Sequence, residues 1–317
     1  MERNKASSES AADAAPPSPE KLVADLVHLL TVEPKGEHSF AGRPQQDGVG
    51  RVFGGQVIAQ ALQAAQATVA DGKQAHSIHA YFLRGGEEGP MTDLTVEADF
   101  EGRSFANRRV VASQRAKDGS QRPILNLTAS FQRPEEGLSH DDYVMPDVPM
   151  PEDLRSNAEL RREHSDKAGL TGNARKLMLR PRSIEMRTAD KLHWMNNEPR
   201  TPATHSWFKA VAPLPPLADS ADLHRAVIAY ASDYTLLGTS ALPHGLSWAR
   251  NELIGASLDH ALWFHRPAPA DEWLLYATDS PWSGNGRSFN RGRIFTRDGK
   301  LVASVAQEGM MRRHKGT

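Results

Sequence analysis

Gly102-Arg103-Ser104-Phe105 returns as Gly286-Arg287-Ser288-Phe289, and its surroundings return in the same order. Tyr81-Phe82-Leu83-Arg84 is matched by Trp263-Phe264-His265-Arg266, and Val57-Ile58-Ala59-Gln60-Ala61 by Val227-Ile228-Ala229-Tyr230-Ala231. The spacing changes only between elements, as loop insertions make it, so the chain reads as two copies of one unit. In the first copy good helix formers follow two glycines and predict a helix over Phe53 to Val69. β-Branched and aromatic runs then predict strands over Ser77–Arg84, Met91–Phe100, Ser104–Gln114 and Ile124–Gln132, parted by the turns RGGEEG and AKDGS. One helix followed by a meander of strands is an α+β unit in which an antiparallel sheet covers the helix.

The length of 317 residues agrees with two such units, at a prior of about 150 residues per domain. Residues 1–20 are rich in Ala, Ser, Glu and Pro and predict a disordered tail; they lack the apolar centre of a secretory signal. Residues 21–134 form the first copy, opened by a short amphipathic helix over Lys21–Leu30. Residues 135–180, first Pro-rich and acidic and then charged and helical, form a connection, and 181–317 the second copy. Lys and Arg number 38 against 39 Asp and Glu, a balance that argues against broad electrostatic binding to nucleic acid or an anionic membrane. There are 0 cysteines, which removes disulfides, thiolate metal sites and cysteine nucleophiles. No apolar run approaches the roughly 20 residues that span a bilayer.

The helix of the second copy, predicted over His224–Leu237, places Leu223, Val227, Tyr230, Tyr234 and Leu237 on one apolar face. Asp233 falls inside that face, where a carboxylate needs hydrogen-bond donors and often has a task. Comparing the copies sharpens this. Asp233 corresponds to Gln63, Ser257 to Ala75 and Gln307 to Ser130, so a carboxylate, a hydroxyl and an amide are present only in the second copy. If they converge, the chain has one active site. Gly54 and Gly55 open the first helix with backbone N–H groups at its positive end and are candidates to hold an oxyanion. His79, Arg84 and Arg266 are candidates for substrate contact, and the cluster Arg312, Arg313, His314 and Lys315 for phosphate.

The segments RVFGGQVIAQAL, HAYFLR, GRSFANRRV, AYASDYTLL, SLDHALWFHRP and LVASVAQEGMMR, in this order, resemble the acyl-CoA thioesterase II family, whose fold is a double hotdog. The resemblance covers about Leu22 to Arg313. It implies hydrolysis of fatty acyl-CoA to a free fatty acid and coenzyme A, with no metal and no organic cofactor. It also implies that Asp233, Ser257 and Gln307 are the catalytic residues. Serine at 257 stands where the family commonly has threonine, which keeps the hydroxyl and gives up a methyl group that restrains it.

Thioester hydrolysis needs an aimed water, a proton acceptor and oxyanion donors. No G-x-S-x-G nucleophile elbow is present. Two other readings stand beside hydrolysis: a hotdog hydratase or dehydratase, which usually pairs a His with an Asp or Glu, and a non-catalytic acyl-CoA-binding protein. Cytoplasmic residence is expected, since Lys315-Gly316-Thr317 is not a Ser-Lys-Leu type of address. Sheet edges in hotdog units lead to an expectation of homo-oligomers.

Overall fold

Thirteen strands among the described residues join in one sheet, and its order displays the repeat. The computed structural model describes residues 16–45, 50–69, 72–192, 198–248 and 250–314. The first copy comprises α1 (Pro19–Leu30), β1 (Glu33–Gly36), β2 (Ser39–Gly42), α2 (Gly54–Gln66), β3 (Gln74–Phe82), β4 (Thr92–Glu101), β5 (Phe105–Arg115) and β6 (Gln121–Gln132). The connection carries α3 (Asn157–Lys167) and α4 (Gly172–Met178). The second copy comprises β7 (Ile184–Thr188), β8 (Ala203–Ala210), α5 (Leu217–Ser232), α6 (Leu236–Thr239), β9 (Leu253–Ser257), β10 (Asp259–Phe264), β11 (Leu274–Gly284), β12 (Arg287–Thr296) and β13 (Leu301–Arg313). The first half of the sheet runs β2-β4-β5-β6-β3 and the second β10-β13-β12-β11-β8, mirror orders that meet where β3 pairs antiparallel with β10.

Inside this sheet lie α2 and α5, packed on each other and buried on nearly every side. Their alanine-rich sequences explain the arrangement. Ala59, Ala61, Ala64 and Ala65 of α2 and Ala226, Ala229 and Ala231 of α5 are all buried, and small side chains let two helices and a sheet approach closely. The helices run antiparallel, since the start of α2 meets the end of α5.

Several expectations on boundaries are corrected. The N-terminal helix starts at Pro19, capped by Ser18, two residues before its expected start, and the expected disordered tail falls largely on residues 1–15, outside the described residues. Pro at the first helical position with a Ser cap is a favourable start. The second helix begins at Leu217, before His224, and ends at Ser232; Asp233 is its C-cap and Leu237 belongs to α6. Short β1, β2 and β9 escape the sequence reading because four or five residues carry too little alternation. The connection does have its charged helix, α3, with a capping box made by Ser156 and Glu159.

Candidate active site

The end of α5 brings Asp233 against the first turn of α2, and glycine is what permits it. A Cβ on Gly54 would stand 2.6 Å from Asp233 Oδ2, and one on Gly55 would strike the carbonyl oxygen of Tyr230. The Gly55 N–H donates to Asp233 Oδ2 at 2.9 Å, so the positive end of α2 faces the carboxylate. From β13, Gln307 Nε2 donates to Asp233 Oδ1 at 2.8 Å. Ser257 closes β9, which pairs with β13 so that Ser257 faces Gly309, two residues from Gln307; its hydroxyl stands close enough to the carboxylate to draw its pKa down. The three residues singled out by comparing the copies are thus brought together around one carboxyl group.

Asp233 has a side chain only 7% exposed. Burial raises its pKa from 3.8 to about 6, against the downward pull of the bonds from Gln307 and Gly55 and of the nearby Ser257 hydroxyl. No cation pairs with it among the described residues; His260 Nδ1 stands 4.0 Å away. The result is a carboxyl poised to gain and lose a proton near neutrality.

His260, fully buried on β10, is the residue that sequence reasoning missed. Ser232 Oγ donates to the Ala229 carbonyl at 2.8 Å and therefore accepts from His260 Nε2 at 2.9 Å. This leaves His260 Nδ1 as an acceptor for Gln307 Nε2, 3.1 Å away. Burial lowers the His260 pKa to about 4, so the ring is neutral and can accept. One Gln307 nitrogen thus donates to both Asp233 and His260, which fixes which way the amide points. Gln307 Oε1 is buried and has no partner among the described residues, so it is available to accept from a water. The signal was in the alternation of SLDHALWF: His260 shares the inward parity of Leu262. Asp259 points the other way, and its carboxylate accepts from the Glu308 N–H at 2.6 Å, pinning β13 beside the site. Tyr276, also buried, donates to the Ser232 carbonyl at 2.8 Å beneath the turn that carries Asp233.

The other expected residues are placed as follows. The Gly55 N–H is engaged by Asp233, whereas the Gly54 N–H meets no acceptor among the described residues. His79 is exposed on the outer face of β3, edge-on to Trp263 at 5.2 Å, and is not brought to the carboxylate. Arg84 follows β3 at the site's end of the sheet, where Phe82 packs against Gly54; its guanidinium donates to the Pro123 carbonyl at 3.0 Å. Arg266, beyond the far end of β10, is held by Asp141 and the Leu301 carbonyl. Arg312 and Arg313 lie where β13 pairs with β9, and Lys315 lies outside the described residues.

Comparison with known proteins agrees with this fold. The acyl-CoA thioesterase N-terminal domain matches residues 43–132 and the acyl-CoA thioesterase C-terminal domain residues 151–311. Human acyl-coenzyme A thioesterase 8 is 34% identical over 288 residues, covering 90% of this chain and 88% of its own. Acyl-CoA thioesterase 2 of Haemophilus influenzae is 34% identical over 291 residues, covering 92% and 98%. The crystal structure of an acyl-CoA thioesterase II, TesB2, from Mycobacterium marinum superposes with a TM-score of 0.70 at 36% identity, over 91% of this chain and 98% of that one. With one sheet wrapped around two antiparallel helices and both domain families in order, this double-hotdog chain belongs to the acyl-CoA thioesterase family.

Proposed function

We propose that Asp233, Ser257 and Gln307 carry the thioesterase reaction, hydrolysing fatty acyl-CoA to a free acid and coenzyme A. The observation that carries this reading is the buried Asp233 carboxyl, raised to about 6 with donors on both of its oxygens. Its remaining lone pairs, the Ser257 hydroxyl and Gln307 Oε1 fix a water beside the thioester carbonyl. Asp233 takes a proton as that water attacks, the tetrahedral oxyanion collapses, and the carbon–sulfur bond breaks with the proton passing to the departing thiolate. The Gly54 N–H, at the positive end of α2, is the donor we assign to the oxyanion. This is general-base catalysis without a covalent acyl-enzyme.

A hydratase reading is disfavoured by the histidine nearest the carboxylate. His260 is sealed from solvent and bonded on both ring nitrogens, with no face to offer a substrate. Incubation with saturated and trans-2-enoyl thioesters separates the classes: free thiol reports hydrolysis, loss of enoyl absorbance reports hydration, and a binder gives neither. The reading includes a cytoplasmic, self-associating protein. Self-association is supported by the aromatic residues Tyr81, Trp282 and Phe289 exposed on the sheet, and is tested by light scattering. Fractionation of cells tests the compartment.

A further inference from the structure

Coenzyme A carries a 3′-phosphate and a diphosphate, and none of the arginines expected to meet them lies free beside the carboxylate. Arg161 of the connection and Arg182, just past it, form a different pair. In the connection, α3 is tied to β7 by Asn157, which donates to Thr188 Oγ1 at 3.0 Å and accepts from the Thr188 N–H at 3.2 Å. Arg187 adds bonds to the carbonyls of Pro151 and Leu154. Packed this way, α3 carries Arg161 toward the start of β7, where Arg182 stands. Arg182 lies over the ring of Tyr234, 5.6 Å from its centre. Tyr234 follows Asp233 in the chain, packs on Phe53 with ring centres 4.8 Å apart, and bonds through its hydroxyl to Tyr230 at 3.2 Å. Phe53 in turn precedes Gly54. The two guanidinium groups therefore sit beside the aromatic wall that leads to the carboxylate.

Several neighbouring cations are matched, Arg155 and Lys167 by Glu163, Arg175 by Asp166 and Arg180, more loosely, by Glu88 at 3.8 Å, while Arg162 and Lys176 point into solvent without an ion pair among the described residues. Arg161 and Arg182 have neither a hydrogen bond nor an ion pair among the described residues. Partial burial and the positive charge of Arg182 lower the Arg161 pKa to about 10. Like charges held together without a carboxylate are unfavourable until an anion joins them, and the planar fork of arginine matches a phosphate.

We propose that Arg161 and Arg182, held beside the Tyr234–Phe53 wall, bind the phosphate groups of the acyl-CoA substrate. This rests on the reading of Asp233 as the catalytic base, since that reading places the thioester at the other end of the same wall. The test compares kcat/KM for a medium-chain acyl-CoA with that for the S-acyl pantetheine of the same chain, which has no phosphates. In wild type the coenzyme A thioester is favoured. In Arg182→Gln the ratio of the two constants falls about tenfold, the scale of one charge-assisted bond, and in the double variant with Arg161→Gln it falls further. A structural defect lowers both constants and leaves their ratio alone, which overturns the proposal, as does an unchanged ratio. Arg182 is exposed, so its replacement leaves the core intact and that variant alone decides. A dephospho-coenzyme A thioester then divides the support: a fall that persists assigns the diphosphate, one that vanishes assigns the 3′-phosphate. Asp233→Asn is assayed alongside; if it stays active the catalytic reading fails, whatever the ratio shows for the arginines.

Discussion

The two ends of the α2–α5 pair occupy matching places in the repeat and have opposite chemistry. At one end, glycines let the first turn of α2 touch Asp233, and the donors gathered there converge on an unpaired carboxylate. At the other, the positions matching Gly54 and Gly55 are His224 and Arg225, both buried and both tied down. His224 accepts from the Ala270 N–H at 2.9 Å and donates to the Pro215 carbonyl at 2.9 Å, while Arg225 bonds Asp222 at 3.0 Å and also reaches Gln74. Gln63 stands in the place of Asp233, lining a cavity of about 590 Å³ with Gln66, Lys73, Gln74, Asp219 and Asp222. A handful of side chains decides that one end holds a buried carboxyl without a countercharge, while at the other the acids are exposed or, like Asp222, paired with a cation.

Removing the carboxylate should have the largest effect. Asp233→Asn is expected to lower kcat/KM about 100-fold or more, read by thiol release across a ladder of chain lengths. Next is the histidine behind the amide. His260→Gln keeps a group near Nε2 and loses the acceptor at Nδ1, and is expected to cost kcat about tenfold with KM little changed. His260→Asn restores an acceptor toward Gln307 and is expected to recover most of that loss. The reverse order would mean that the Ser232 bond, not the amide, is what matters.

A smaller effect separates charge from shape. Because the folded pKa of Asp233 is raised above its ordinary value, its contribution to stability is present at low pH and lost as pH rises through about 6. Between pH 5 and pH 8 the stability of wild type relative to Asp233→Asn is expected to fall by roughly 1.5 kcal/mol, measured by urea unfolding. Over the same window kcat/KM rises, since the base must be ionised. Activity and stability thus move in opposite directions. The smallest effect is at the far cleft, where Gln63→Ala is expected to leave kcat/KM within about twofold.

The repeat and the apolar stripes were legible because a double hotdog writes its core twice, in helix periods and strand alternation that survive loop insertions. Asp233, Ser257 and Gln307 were legible by difference, as polar residues present in one copy and missing from its mate. The end of α5 was not, because Asp233 continues the apolar spacing of Tyr230 while its backbone turns out of the helix. His260 was hidden inside a strand, where a buried histidine looks like any other inward residue until Ser232 and Gln307 are found on either side. Arg161 lies in the segment read as connection and Arg182 two residues past its end, and which of the many arginines there lack acids is a property of packing alone.

The seam between β3 and β10 sets a schedule for synthesis. β3 ends at Phe82, but the strand that hydrogen-bonds its outer edge begins at Asp259. At about 5–20 residues per second the ribosome needs roughly ten to forty seconds to deliver the partner. Throughout that interval the first copy carries an open strand edge with Tyr81 beside it, a template for pairing with any neighbouring nascent chain. The half that lacks Asp233 is made first and waits unfinished, so crowding on the same messenger threatens this protein before Gly55, Asp233 and Gln307 can meet.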